Sequence, residues 1–354
     1  MNKIKVLSFF SGGGFLDMGF EKAGFDVIFS NEIDSDFAQF YKEGMSSWSG
    51  KKRKITDIGS IDNIDSKKLI TPNDELFGII GGPPCQDFSI RGSKNGFDGM
   101  RGTLTYHFYE KIMDLHPDFF LMENVPGLVL LKKTKDAFNA ILDLFREDYI
   151  ISLTRLNALH FGVPQNRERV FIFGFKKKLL NKSLKEQFRE NRFEWPKPTY
   201  PNAHTSYNWG EPLKRIKKEC GLPNPPISLC VESYLVDNEN MLGIPNSNEF
   251  FKIKNPAKIQ LIEEGDTYRP SFKKLHRKKY SPTVCYGNNE VHLHPTNNRR
   301  LSVREALRLQ GVPDSYILTT PKKLSKKFKM IGNGVPVPLA TIIAKAIKTY
   351  IGKI

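Results

Sequence analysis

Residues 8–20 read "SFFSGGGFLDMGF": the end of an apolar run, three consecutive glycines, then apolar residues at helical spacing. As strand, glycine-rich turn and helix start, this places backbone that a ligand can approach closely at the positive end of a helix. The same rhythm continues down the chain. "KVLSFF" (5–10), "DVIFSN" (26–31), "FGIIGG" (77–82), "DFFLMEN" (118–124), "YIISLTRL" (149–156) and "RVFIFGF" (169–175) read as buried strands, and residues 15–24, 35–44, 103–116 and 134–147 carry helical spacing between them. Such alternation predicts βαβ units and a parallel sheet with helices on both faces, an α/β fold whose sites lie at the carboxyl ends of the strands.

The glycine turn is not the nicotinamide fingerprint. After Gly12 and Gly14 the third glycine of G-x-G-x-x-G would fall at Asp17. The next strand runs into "NEID" (31–34), so Glu32 follows Gly12 by about twenty residues, where a carboxylate can accept both hydroxyls of a ribose. Asp57 in "KITDIGSID" is a candidate contact to an adenine amino group.

Two further strand ends carry chemistry. In "IIGGPPCQDFSIRG" (79–92), Pro83 and Pro84 form a stiff, extended mount for one thiol, Cys85, ahead of a loop with Gly, Ser, Arg91, Lys94 and Arg101. A catalytic thiol acts as thiolate and needs positive or dipolar help nearby. Glu123 of "MENVPG" (122–127) follows an apolar strand, where poor solvation raises a carboxyl pKa and suits a proton donor at neutral pH. Arg167 and Arg169 of "QNRERVF" precede another strand and can grip a carboxylate, a phosphate or a base edge with two hydrogen bonds.

The bulk numbers divide the 354-residue chain in two. Residues 1–175 hold 21 Lys+Arg against 23 Asp+Glu, whereas residues 176–354 hold 33 against 15, so the net charge of +16 lies in the second half. A basic half joined to a near-neutral half points to a polyanion as partner. The four cysteines, Cys85, Cys220, Cys230 and Cys285, show no C-x-x-C pairing, so neither zinc site nor disulfide framework is indicated. The N-terminal apolar run is too short for a signal peptide, and no window reaches the length of a membrane span, giving a cytoplasmic expectation. From about 176 prolines and aromatics become frequent and the strand–helix rhythm fades. "SVREALRLQG" (302–311) is again helical, and 338–351 reads as a closing helix returning to the first unit.

Taken in order, "FFSGGGFLDMGFEKAGF", "NEID", "GGPPCQDFSIRG…GMRGTL", "MENVPGL", "QNRERVFIFGF", "RRLSVREALRLQGVPD" and "MIGNGVPVPLATIIAKAI" resemble the bacterial DNA (cytosine-5)-methyltransferases of restriction–modification systems. The likeness covers residues 4–175 and 299–350. It implies a Rossmann-like S-adenosylmethionine-dependent methyltransferase sheet over 1–175, completed by 326–354. It also implies a smaller, irregular, mostly β/loop target-recognition domain over 176–325 that includes the helix 302–311.

The resemblance implies methyl transfer to C5 of a cytosine flipped out of duplex DNA, through a covalent bond from Cys85 to C6, with Glu123 at N3. On the same basis Phe10, Gly12, Gly14, Glu32, Ile33, Asp57, Pro83, Asn333 and Val335 would hold S-adenosylmethionine, released as S-adenosylhomocysteine, with no metal. Arg169 would support the base and Cys85, and Arg167 a nearby phosphate. Loop 86–102 would close over the DNA, with Ser89, Arg91 and Arg101, and also Gln165, among the DNA contacts. Residues 176–298 would read the sequence: Lys273, Lys274, Arg277 and Lys278 of "FKKLHRKKY" (272–280) suit phosphates, and the amides and Glu290 of "VCYGNNEVHLHPTNN" (284–298) suit base edges. His292 and His294 lack a third ligand at metal spacing. The expected partners are double-stranded DNA and, functionally, a cognate restriction endonuclease, with the enzyme a cytoplasmic monomer. The alternatives are the same chemistry on tRNA, or an idle DNA-binding homologue. An intact Cys85, Glu123, Arg167 and Arg169 set argues against the idle one.

Overall fold

β1 (Lys5–Phe9) enters the glycine turn that starts α1 (Phe15–Lys22), so residues 8–20 are strand end, turn and helix start as expected. β2 (Asp26–Glu32) follows, and then α2 (Ser35–Ser49), whose N-cap Asp34 accepts from the amides of Asp36 and Phe37. The two-residue β3 (Asp57–Ile58) leads to β4 (Phe77–Gly81). Next come α3 (Leu104–Leu115), β5 (Phe119–Asn124), α4 (Lys132–Asp148), β6 (Tyr149–Asn157) and β7 (Glu168–Lys176). The C-terminal part adds α5 (Val303–Leu309), α6 (Leu324–Asn333) and α7 (Val337–Ile351). The computed structural model describes residues 3–69, 75–84, 103–180, 193–215, 221–284, 286, 291–321 and 323–353.

The seven-stranded sheet has the order β3-β2-β1-β4-β5-β7-β6. The pairs β1–β2, β1–β4, β2–β3 and β4–β5 are parallel. The expectation of a parallel sheet holds for β1 to β5 and is corrected at the far edge, where β7 runs antiparallel to both β5 and β6. The cause is the connection: residues 158–167 hold only a short 3₁₀ turn, and a parallel neighbour would need a full crossover. This reversal puts the start of β7, with Arg167 and Arg169, beside the carboxyl end of β5, with Glu123 and Asn124.

Both sheet faces are covered, which is why the strands read as continuous apolar runs rather than alternating ones. Along β5, Phe119 and Leu121 join a core with Phe20 of α1 and Leu339, Ile343 and Ile347 of α7. Phe120 and Met122 join the opposite core with Phe108 and Ile112 of α3 and Phe138, Ile141 and Phe145 of α4. Leu324–Ile351 is by length and composition apolar enough to span a membrane. It is two helices parted at Gly334–Pro336, and α7 packs closely on α1: a Cβ on Gly19 would lie 2.4 Å from that of Ala340.

Residues 193–301 have short helical turns, loops and isolated bridges such as Lys274–Leu293, with no strand ladder among the described residues. The β component of the recognition-region expectation is therefore corrected. Its frequent prolines remove backbone donors and interrupt any ladder. Helix α5 starts with a capping box, Ser302 with Glu305. A third core binds this half to the first, joining Phe15, Phe40, Tyr41 and Met45 to Leu275, Val284, Leu307, Tyr316 and Phe328.

Candidate active site

The carboxyl ends of β1, β2, β4 and β5 surround one cavity of about 190 Å³. Phe10, Gly12 and Gly13 form its floor on the β1 side, Glu32 and Ile33 come from β2, Gly82 and Pro84 from the exit of β4, and Glu123 from β5; Asn333, Gly334 and Val335 close it from the C-terminal side. Phe10 has φ 56°, a left-handed conformation that a bulky residue adopts only where its surroundings enforce it. Gly12 (54°) and Gly14 (79°) share that region, and Gly14 is the N-cap of α1.

Glu32 is buried. Its Oε2 accepts from Gly12 N at 2.8 Å and its Oε1 from Asp34 N at 2.9 Å, which ties the glycine turn to the end of β2. Burial raises its carboxyl above the ordinary range, against the pull of those two amides. Ile33 is 66% exposed at the cavity rim, an apolar surface for a flat ring. Asn31, not singled out in the sequence, donates to Asp57 Oδ1 at 3.0 Å and to Gly59 O at 2.9 Å. The cavity wall there is Gly59, Ser60 and Ile61, and the half-buried Asp57 beside it has one carboxylate oxygen on Asn31.

Asp17, which served only to exclude a nicotinamide motif, is fully buried beneath the turn. Ser8 Oγ donates to it at 2.6 Å and Tyr41 OH at 3.0 Å, and burial pushes its pKa up to about 6.

Glu123 pairs with Arg169, Nε to Oε1 at 2.9 Å, both side chains being about one-tenth exposed. Burial raises the Glu123 carboxyl, opposed by the guanidinium groups of Arg169 and Arg167. Gly82 leaves room for it, since a Cβ there would lie 2.9 Å from Glu123 Oε2. Asn124 donates to Pro83 O at 2.9 Å and so holds the mount that leads to Cys85. Pro83 itself is buried, and its neighbours Gly82 and Pro84 line the cavity. Gly14 likewise acts as the helix cap while Gly12 and Gly13 face the cavity.

Other expected contacts are internal. Arg167 is fully buried and donates to the carbonyls of Val284 (3.0 Å), Gly332 (2.7 Å) and Gly334 (3.0 Å), which corrects its phosphate assignment. A guanidinium holding three carbonyls around Asn333 shapes the cavity instead of meeting DNA. Gln165, also fully buried, donates to Leu309 O and accepts from Val284 N, so it too is corrected from DNA contact to interior link. Lys274 donates to Ile262 O, and the exposed Arg277 is paired with Glu264 at two points. Lys273 is half-buried and Lys278 exposed. Cys230 is buried, its thiol pushed up to about 11 by burial, in keeping with a structural role. Cys85, Ser89, Arg91, Arg101, the rest of loop 86–102, Cys220, Cys285 and Glu290 lie outside the described residues.

A sheet of this order, with a glycine turn and a following acid at the ends of its first two strands, defines the S-adenosylmethionine-dependent methyltransferase class of α/β enzyme. The profile of the C-5 cytosine-specific DNA methylases matches residues 4–349, and the chain belongs to that family. It is 37% identical to the Type II methyltransferase M.NmeDI of Neisseria meningitidis serogroup C, over 99% of this chain and 84% of that protein. It is 34% identical to the Type II methyltransferase M.FnuDI of Fusobacterium nucleatum, over 98% and 94%. Among solved structures it superposes, with a TM-score of 0.66 and 25% identity over 99% and 100% of the chains, on a protein assigned as a DNA modification methyltransferase and encoded within an E. coli prophage. The S. pombe Dnmt2 methyltransferase shares the fold, with a TM-score of 0.63 and 13% identity over 99% of each chain.

Proposed function

We propose that this enzyme methylates C5 of cytosine within a specific sequence of duplex DNA, and protects host DNA in a Type II restriction–modification system. The observation that carries the reading is one cavity: Glu123, Gly12 and Gly13 of the glycine turn, Glu32, and Pro84 immediately before Cys85 all line it. The residues fit S-adenosylmethionine, with Glu32 for the ribose, Ile33 and Phe10 for the adenine, and Asn333 and Val335 for the opposite edge. When bound, that cofactor supplies an electrophilic methyl group.

The protein's part begins with Cys85, whose thiolate attacks C6 of the target base. Glu123, its carboxyl raised by burial, presents a proton to N3 so that the electron pair leaving C5=C6 is accommodated and C5 becomes nucleophilic. Arg169 fixes the carboxyl. After C5 takes the methyl group, loss of its proton restores the double bond and expels the thiolate. This chemistry needs the base outside the stack, at an unstacking cost of roughly a few kcal/mol. The basic region 176–325 supports recognition of DNA, with 1–175 and 326–354 as the catalytic unit working as a cytoplasmic monomer. The relatives named Type II methyltransferases favour DNA over tRNA as substrate.

A duplex carrying 5-fluorocytosine tests the reading, because fluorine cannot leave as a proton does. The wild-type protein with S-adenosylmethionine should form an adduct that survives denaturing electrophoresis, and Cys85→Ala should form none while still binding DNA. Full methyl transfer by Cys85→Ala would refute the mechanism.

A further inference from the structure

Tyr316, in the segment after α5, reaches the cofactor turn from the other half of the chain. Its side chain is fully buried, its hydroxyl donates to Gly13 O at 2.8 Å, and Phe40 O lies at 3.3 Å. The ring packs edge-on against Phe15 at 5.6 Å, and α2 carries Gly44 where it enters, since a Cβ there would lie 1.9 Å from the ring. Gly13 and Phe15 both line the cavity. Packing alone would be served as well by phenylalanine; a hydroxyl at this depth requires a partner, and its partner is the turn.

The turn needs such a restraint. Three successive glycines have little conformational preference of their own, and Gly12 and Gly14 both sit at positive φ. The far side of the Tyr316 segment is also held. Arg304, fully buried, donates to Tyr316 O at 2.7 Å and to Pro245 O at 2.9 Å. Asn246 exchanges two hydrogen bonds with Leu318, at 2.7 and 3.0 Å.

We propose that Tyr316 is a positioning residue for the cofactor turn: its hydroxyl holds the Gly13 carbonyl in the binding shape and links cofactor affinity to the seating of residues 245–246 in the recognition region. The proposal rests on the reading of the cavity as the S-adenosylmethionine site. Without the hydroxyl the turn samples other conformations, and the measured affinity falls by the fraction that stays competent.

The test is Tyr316→Phe in the full chain, titrated calorimetrically with S-adenosylhomocysteine in the absence of DNA. Binding should weaken about threefold to tenfold, while Tm moves by about 2 °C or less. Amides of residues 11–16 should exchange faster in the free variant, those of Phe119–Asn124 should be unchanged, and KM for the cofactor should rise with kcat at saturation preserved. Asn246→Ala, which touches no cavity residue, should weaken binding in the same direction. Affinity unchanged within about 1.5-fold in Tyr316→Phe, or a loss matched by faster exchange throughout the sheet, overturns the proposal. Wild-type protein that fails to bind S-adenosylhomocysteine overturns the cofactor reading itself.

Discussion

Replacing Asp17 with asparagine should make the protein more stable near neutrality and change how its stability depends on pH. The Asp17 carboxyl is fully buried, and burial, outweighing the hydrogen bonds from Ser8 and Tyr41, raises its pKa from 3.8 to about 6. The folded chain therefore keeps a proton that the unfolded chain has released between about pH 4 and pH 6. Stability falls as pH rises through that window, and the penalty is complete above it. A rise of about two pH units corresponds to about 3 kcal/mol. Asparagine has the same shape without the charge, still accepts from Ser8, and can donate to the Tyr41 oxygen. Urea unfolding of both proteins at pH 4, 5, 6 and 7.5 measures the difference directly. It should shift by about 3 kcal/mol in favour of asparagine between the ends of the range. A difference that stays constant across the four pH values would refute the reasoning, because no proton would then be linked to burial of this group.

Gly82→Ala places a Cβ 2.9 Å from Glu123 Oε2. Displacing the carboxyl should lower kcat about tenfold or more with the fold intact, as checked by steady-state methylation beside a thermal melt. Phe120→Ala empties a fully buried site where the ring fills the space beside Gly174, with a cost of about 3–5 kcal/mol readable by denaturant unfolding.

The expected strands and the longer helices lie within a few residues of their sequence assignments, because the inner strands are buried on both faces and each of those helices on one; the half-exposed edge strand β6 still carries an apolar run along its covered side. β3 was illegible for a reason of size: two residues carry no period, and the ladder from Asn31 and Glu32 creates the strand. The reversal of β7 was legible only as a missing helix between 157 and 168. At the site, Glu123 and Glu32 could be picked out because they are acids after apolar strands. Asn31 and Asn124 could not, since an amide that grips a distant carbonyl looks like any loop residue. Arg167 and Gln165 misled in the opposite sense. A charged or amide side chain in a basic protein reads as a surface contact, and nothing local signals three carbonyls arriving from residues more than a hundred positions away.

The packing of α7 on α1 carries a cost in time. The face of α1 around Leu16, Phe20 and Ala23 is covered by Leu339, Ala340, Ile343 and Ile347, which leave the ribosome some three hundred residues later. At about 5–20 residues per second, that face waits about 15–65 s for its partner. A sheet missing its last helix is exposed to aggregation for the whole of that interval. Newly made chains therefore give a chaperone its opening long before the enzyme can bind cofactor.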